Sequence, residues 1–174
     1  SSPRRNPAKA PLPSSLASSA YPAPPCSAYC ASTAPAKQLT DTLTPAARSE
    51  RMRQVRGKDT RPEMVVRRLA HRLGYRFRLH RRDLPGSPDL VFPARRAVIF
   101  VHGCFWHQHD CPRGARRPAS NASYWHPKLA RNVERDREAR QRLESQGWRA
   151  LVIWECEMRN ADELSRRLTD FLDD

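Results

Sequence analysis

Apolar residues recur along this chain with two periods that alternate, first the helical one and then the strand one. Val65, Leu69 and Leu73 fall four apart behind Thr60-Arg61-Pro62-Glu63, a capping box with proline in its first turn, which predicts a helix over 61–73 closed by Gly74. Tyr75, Phe77 and Leu79 then alternate with Arg76, Arg78 and His80, as on a strand with one buried face. Leu84-Pro85-Gly86-Ser87-Pro88 reads as a turn, 89–92 as a short strand, 93–96 as a second turn, and 97–101 as an antiparallel partner, together a hairpin. In that hairpin Asp89 opens one strand and His102 follows the other, so the pairing brings a carboxylate and an imidazole together.

Residues 127–146 are rich in helix formers and stop at Gly147. They carry Asp136–Arg140 and Glu138–Arg142 at i, i+4 over a thin apolar stripe of Leu129, Val133 and Leu143. The run 150–154 reads as a buried strand, so helix and strand resemble half of a βαβ unit. Asn160 with Glu163 caps a last helix whose Leu164, Leu168 and Phe171 share a face. Alternating strands and helices predict an α/β domain, and there is no internal repeat.

Composition changes the picture at the N-terminus. The first forty residues hold eight of the chain's 16 prolines, eight serines and no acidic residue, too little apolar surface to offset the entropy of ordering. The expectation is a disordered Pro/Ser/Ala-rich tail over 1–42, with Cys26 and Cys30 incidental in it, and one folded domain over 43–174. Four of the 32 basic residues and none of the 18 acidic ones precede residue 41, so residues 41–174 carry +10 of the chain's net +14. A basic domain favours a polyanionic partner, because each phosphate neutralised by Lys or Arg releases counterions. No stretch approaches the ~20 apolar residues of a membrane span. The tail also lacks the apolar centre of a secretory signal, although its Arg, Ser and Ala content overlaps with organelle transit peptides. A soluble cytoplasmic protein, nucleoid-associated when bound to DNA, is expected.

The candidate chemistry sits just past the second hairpin strand, in His102-Gly103-Cys104-Phe105-Trp106-His107-Gln108-His109-Asp110-Cys111. Cys104, His109 and Cys111, with Cys156 returning after the 150–154 strand, offer the four N and S ligands that zinc prefers in a closed tetrahedral site; His107 is an alternative to His109. Asp89 is either a turn residue or a hard oxygen ligand for Mg²⁺. His102 and His107, outside the zinc set, are available as acid and base near neutral pH. Phe105, Trp106 and Trp125 are aromatic residues in polar surroundings, either lids of the core or wedges between base pairs.

The strings Arg48-Ser49-Glu50-Arg51-Met52-Arg53, Lys58-Asp59-Thr60, Leu84-Pro85-Gly86-Ser87-Pro88-Asp89, His102-Gly103-Cys104-Phe105-Trp106-His107, Arg131-Asn132-Val133-Glu134-Arg135-Asp136 and Trp154-Glu155-Cys156 together carry a family likeness. The chain over 43–172 resembles the very-short-patch repair (Vsr) DNA mismatch endonucleases. That resemblance implies a restriction-endonuclease-like mixed sheet flanked by helices, and a strand-specific nick beside a T:G mismatch left by deamination of 5-methylcytosine. It also implies that Asp89 and the backbone carbonyl of Val101 bind a catalytic Mg²⁺, that His107 activates water, that His102 assists at the scissile phosphate, and that Glu63 holds metal-bound water. Cys104, His109, Cys111 and Cys156 would hold structural Zn²⁺. Phe105, Trp106 and Trp125 would intercalate beside the mismatch, and Met52 would reach the DNA from the opposite groove. Val101 stands where the family has threonine, a change that a carbonyl ligand tolerates. The expected partner is mismatched double-stranded DNA, with mismatch-repair proteins as further candidates, and the protein is expected to act as a monomer. The rivals are a non-catalytic zinc-containing DNA-binding module and a restriction-type nuclease for intact DNA.

Overall fold

The computed structural model describes residues 40–55 and 57–174; most of the 1–42 tail, with Cys26 and Cys30, lies outside the described residues. Helices α1 (Pro45–Gln54) and α2 (Arg61–Arg72) precede β1 (Arg78–Leu79), β2 (Leu90–Phe92) and β3 (Ala97–His102). Helix α3 (Ala122–Ser145), β4 (Arg149–Trp154) and α4 (Ala161–Asp173) follow. The sheet runs β1-β2-β3-β4, antiparallel between the first three strands and parallel between β3 and β4. The fold is thus a mixed α/β domain in which β3-α3-β4 forms a crossover unit, as a parallel pair requires.

Strand alternation sorts the core into two layers. Leu90, Phe92, Ala97, Ile99 and Ile153 face α2 and α4, where Val66, Leu69, Leu164, Leu168 and Leu172 meet them. Val91, Val98 and Phe100 face the other way with Leu84, against Leu143 of α3. Both faces are covered, which is why 97–100 is apolar at every position instead of alternating. Truncating Ile99, fully enclosed between the layers, to alanine would cost about 2–5 kcal/mol.

Four details differ from the sequence reading. The strand expected from Tyr75 shrinks to Arg78–Leu79: Tyr75 and Phe77 turn their ring edges onto Phe92, while Leu79 is 43% exposed. Helix α3 begins at Ala122, five residues before Pro127, which sits inside the helix and not at its start. Strand β4 lies at the sheet edge and buries only Ile153 fully, so it is not the buried strand expected. In α4, Leu172 and not Phe171 completes the buried stripe. At the start of the described chain, Asp41 is fastened to the domain by Arg48 Nε at 2.5 Å and Trp125 Nε1 at 3.0 Å, so the attachment begins inside the segment assigned to the tail. No helix among the described residues is long and apolar enough to cross a membrane.

Candidate active site

The alternation that builds the core also aims the polar groups. His102 continues the Val98, Phe100 parity of β3, and Asp89 continues the Val91 parity of β2, so both point to the α3 side. The Asp89 amide donates to the Ile99 carbonyl at 3.1 Å, and the Val101 amide donates to Asp89 Oδ2 at 2.7 Å. Asp89 therefore sits against Val101, one residue before the His102 that the hairpin reading placed beside it. Burial lifts its carboxyl to about 6, the Val101 amide opposing this and the Glu63 charge adding to it. A partly buried carboxylate held up in this way gains most from a neighbouring divalent cation, so Asp89 fits the role of a hard-metal ligand.

The two imidazoles stack face to face, with ring centroids 3.8 Å apart and planes 11° off parallel. His107 Nδ1 lies 2.5 Å from Asp136 Oδ2. A carboxylate can only accept, so Nδ1 carries the hydrogen, and in the neutral ring the lone pair is then on Nε2, the tautomer a general base needs. Burial, and then the charge of His107, depress His102 to about 3. That favours the neutral ring at His102, which presents a hydrogen-bonding edge beside His107.

Asp136 is the site residue that side-chain spacing missed. The i, i+4 pattern paired it with Arg140 on a solvent face, yet it belongs to the inward stripe Leu129, Asn132, Asp136, Ala139 and Leu143, spaced 3-4-3-4. Leu129, Ala139 and Leu143 are buried, whereas Val133, assigned to the stripe, is 42% exposed. Asn132 on the same face donates from Nδ2 to the Trp106 carbonyl at 3.1 Å and so ties down the loop that carries His107.

Glu63 performs its capping role: its amide donates to Thr60 Oγ1, while Thr60 Oγ1 donates back to Oε1 at 2.9 Å. Its Oε2 accepts from the Asp59 amide and from Arg67 Nη2, each at 2.9 Å. Arg67 also holds Asp59 Oδ1 at 2.5 Å and lies 2.7 Å from His80 Nε2. The capped carboxylate nevertheless opens on the same cleft as Asp89, a hollow of about 850 Å³ also lined by Val101, His102, His107 and Asp136.

Beyond His107 the chain forms the thiol cluster. One donor atom from each of Cys104, His109, Cys111 and Cys156 lies within 4.8 Å of all the others. His109 faces Cys156 Sγ with Nδ1 at 3.5 Å, and its Nε2 lies 3.4 Å from Asp110 Oδ1, the outer carboxylate that often orients a metal-bound imidazole. Burial drives Cys156 and Cys104 up, Cys104 to about 11, with Cys104 and Cys111 adding to the first shift, and Cys111 adding to the second while Cys156 opposes it. Cys111 falls to about 7 because His109 and the Gly114 and Arg113 amides outweigh its burial. Three thiols so crowded destabilise one another's anions, which a soft divalent cation in their midst would stabilise, so the donor set fits zinc. His107, the alternative ligand, is engaged with Asp136 instead. Trp154 joins the two sites: it stacks on His109 at 4.3 Å and sets its edge on His102 at 5.4 Å.

Phe105, Trp106 and Trp125 form an aromatic cluster, with centroids 5.1, 5.9 and 6.1 Å apart. Trp106 lines the cleft; Trp125 is buried, its indole N–H held by Asp41. Met52 is half-buried on α1 and does not line the cleft, whereas Val55, Gly57 and Lys58 just beyond that helix do.

Residues 40–113 match the family described as DNA mismatch endonuclease Vsr. The chain is 53% identical over 135 residues to the type II nicking enzyme V.XorIIP of Xanthomonas oryzae, covering 78% of this chain and 98% of that one. It is 40% identical over 137 residues to the DNA mismatch endonuclease Vsr of Escherichia coli, covering 78% and 87%, and 38% identical over 130 residues to the nicking enzyme V.NmeAIP of Neisseria meningitidis, covering 75% and 92%. With a mixed α/β fold, a carboxylate-imidazole cleft and relatives of this kind, the chain belongs to the Vsr family of DNA endonucleases.

Proposed function

We propose that this protein nicks one strand of duplex DNA beside a T:G mismatch arising from deaminated 5-methylcytosine, and so opens very-short-patch repair. The observation that carries the reading is the meeting of Asp89, His102, His107 and Asp136 in one cleft. The mixed sheet, with its hairpin delivering the acid, suits a restriction-endonuclease-like arrangement. The names of its relatives support the reading, one being a mismatch endonuclease and others nicking enzymes.

In this reading Asp89 and the Val101 carbonyl hold Mg²⁺, which supplies positive charge to the reacting phosphate. Asp136 fixes the His107 ring and tautomer, and His107 Nε2 takes the proton of the attacking water. His102, kept neutral by burial, offers a hydrogen bond to the phosphate without placing a second cation against the base. Glu63, with both oxygens already accepting, orients water at the cleft wall. Zn²⁺ on Cys104, His109, Cys111 and Cys156 braces the loop behind His107. Phe105 and Trp106 supply the wedge, while Trp125, expected to join them, is buried and packs behind them; opening a base step costs roughly a few kcal/mol, offset by new stacking and by the bent duplex meeting more of the basic surface. Met52 approaches from the opposite groove. The substrate is bound by a monomer.

The test uses the full chain and a duplex labelled on each strand in turn. The wild type should nick only one strand in Mg²⁺, and Asp89→Ala should bind the duplex with unchanged affinity and nick neither. Wild-type binding without nicking in Mg²⁺ would instead favour the DNA-binding module.

A further inference from the structure

One cation of the cleft, whose charge is felt at His102, has no role in the scheme above. Arg140 lines the cleft together with Gly86, Asp89, His102 and His107. It stands one turn past Asp136 on α3 and directly after Ala139, the residue that faces the turn delivering Asp89. A Cβ added to Gly86 would lie 2.7 Å from the Ala139 Cβ. Arg140 thus shares the cleft lining with Asp89 and the His102–His107 stack.

Charge accounting separates Arg140 from an ordinary surface arginine. Its natural helical partner, four residues back, is Asp136, and that carboxylate is committed to His107. Among the described residues no ion pair or hydrogen bond engages the Arg140 guanidinium, which is exposed, and its positive charge is felt at His102. Lys58, Arg82 and Arg135 also line the cleft, a basic wall suited to the phosphates on either side of the one that is cut.

We propose that Arg140 is a catalytic residue that grips the non-bridging oxygens of the scissile phosphate. The inference rests on the nuclease reading of the cleft. In the step concerned, a water oxygen bonds to phosphorus and its proton passes to His107 Nε2; the bond from phosphorus to the leaving sugar oxygen breaks, and that oxygen takes a proton from solvent. Negative charge spreads over the non-bridging oxygens as this happens, and a planar guanidinium donates two parallel N–H bonds to such a pair. A lysine keeps the charge without the fork.

The experiment combines single-turnover nicking at saturating enzyme with duplex affinity measured without added magnesium. Wild type, Arg140→Ala and Arg140→Lys are compared on a T:G duplex and on the same duplex with a neutral methylphosphonate at the cut position. Arg140→Ala should nick about 10²-fold more slowly, and Arg140→Lys should recover to within about tenfold of the wild type. Neutralising the cut phosphate should weaken wild-type binding several-fold and Arg140→Ala binding hardly at all. Independent, additive losses from the two changes overturn the contact, as does an Arg140→Ala rate within twofold of the wild type. A wild type that nicks nothing defeats the nuclease reading and takes this proposal with it; a nicking wild type with an indifferent Arg140 defeats the proposal alone. Arg140 is exposed, so the variants should show wild-type circular dichroism and melting.

Discussion

His107 Nδ1 meets Asp136 Oδ2 at 2.5 Å across 29 positions of sequence, joining the loop after β3 to the middle of α3. The contact fixes which ring nitrogen holds the hydrogen, and with it which one faces a substrate. Replacing Asp136 with asparagine keeps the shape but lets the amide donate to Nδ1, which favours the wrong tautomer. Asp136→Asn should slow single-turnover nicking by about 10²-fold while duplex affinity stays within twofold, checked by gel-resolved nicking and fluorescence anisotropy.

Asp89 gives a prediction with a sign. Its folded value of about 6 stands above the unfolded value near 3.9, so between those values the folded state binds more protons than the unfolded one. The ionised side chain then opposes folding: the penalty is absent below about pH 4, grows as the pH rises, and is complete above about pH 6, on the order of 3 kcal/mol. Asparagine can accept the same Val101 hydrogen bond without the charge. Asp89→Asn should therefore melt several degrees above the wild type at pH 7 without magnesium, match it near pH 4, and nick nothing at any pH. Equal melting temperatures at pH 7 would contradict the burial argument.

Gly86 combines a φ of +75° with the Ala139 contact, so an added methyl group meets both backbone strain and α3. Gly86→Ala should cost roughly 2–4 kcal/mol in urea denaturation. Adding Ala139→Gly removes the contact with α3 but neither the strain nor the approach to the Phe100 ring at 3.1 Å, and should return part of that loss in a double-mutant cycle despite the lower helix propensity of glycine.

The thiol cluster predicts close to one zinc per purified chain by elemental analysis, and a Cys104→Ser protein should retain far less. Stripping the metal with a chelator should lower the melting temperature and slow nicking, because the ligand loop and the His107 loop are one segment. A folded, active chain with no zinc would remove the cluster from the account.

What was legible in the sequence was what neighbours along the chain decide. The Thr60 capping box, the hairpin and the pairing of its ends needed only turn chemistry and period-two alternation, and they brought Asp89 to β3 correctly. Asp136 was obscured because two partners satisfy its carboxylate equally well on paper, Arg140 on its own helix and His107 from a distant loop; tertiary packing decides between them. Pro127 misled for a similar reason. Proline favours a first turn, but Asn121 in a left-handed conformation starts α3 earlier, with its carbonyl accepting from the Tyr124 and Trp125 amides. At the chain's end, Phe171 and Leu172 both satisfy helical spacing from Leu168, and only the shape of the α2 side of the core selects Leu172. The burial of His102, which disfavours its charged form, depends on Trp154 of β4 as well as on Phe100, and the Trp154 contact is one that no local pattern encodes.

The most direct test of the account is nicking of two duplexes identical in sequence except that one carries T:G where the other carries C:G, across a library of flanking contexts, in Mg²⁺. The account predicts a nick in one strand of the T:G duplex and at least a hundredfold slower reaction on its paired counterpart. Equal cleavage of both duplexes, or cleavage of both strands, would contradict it.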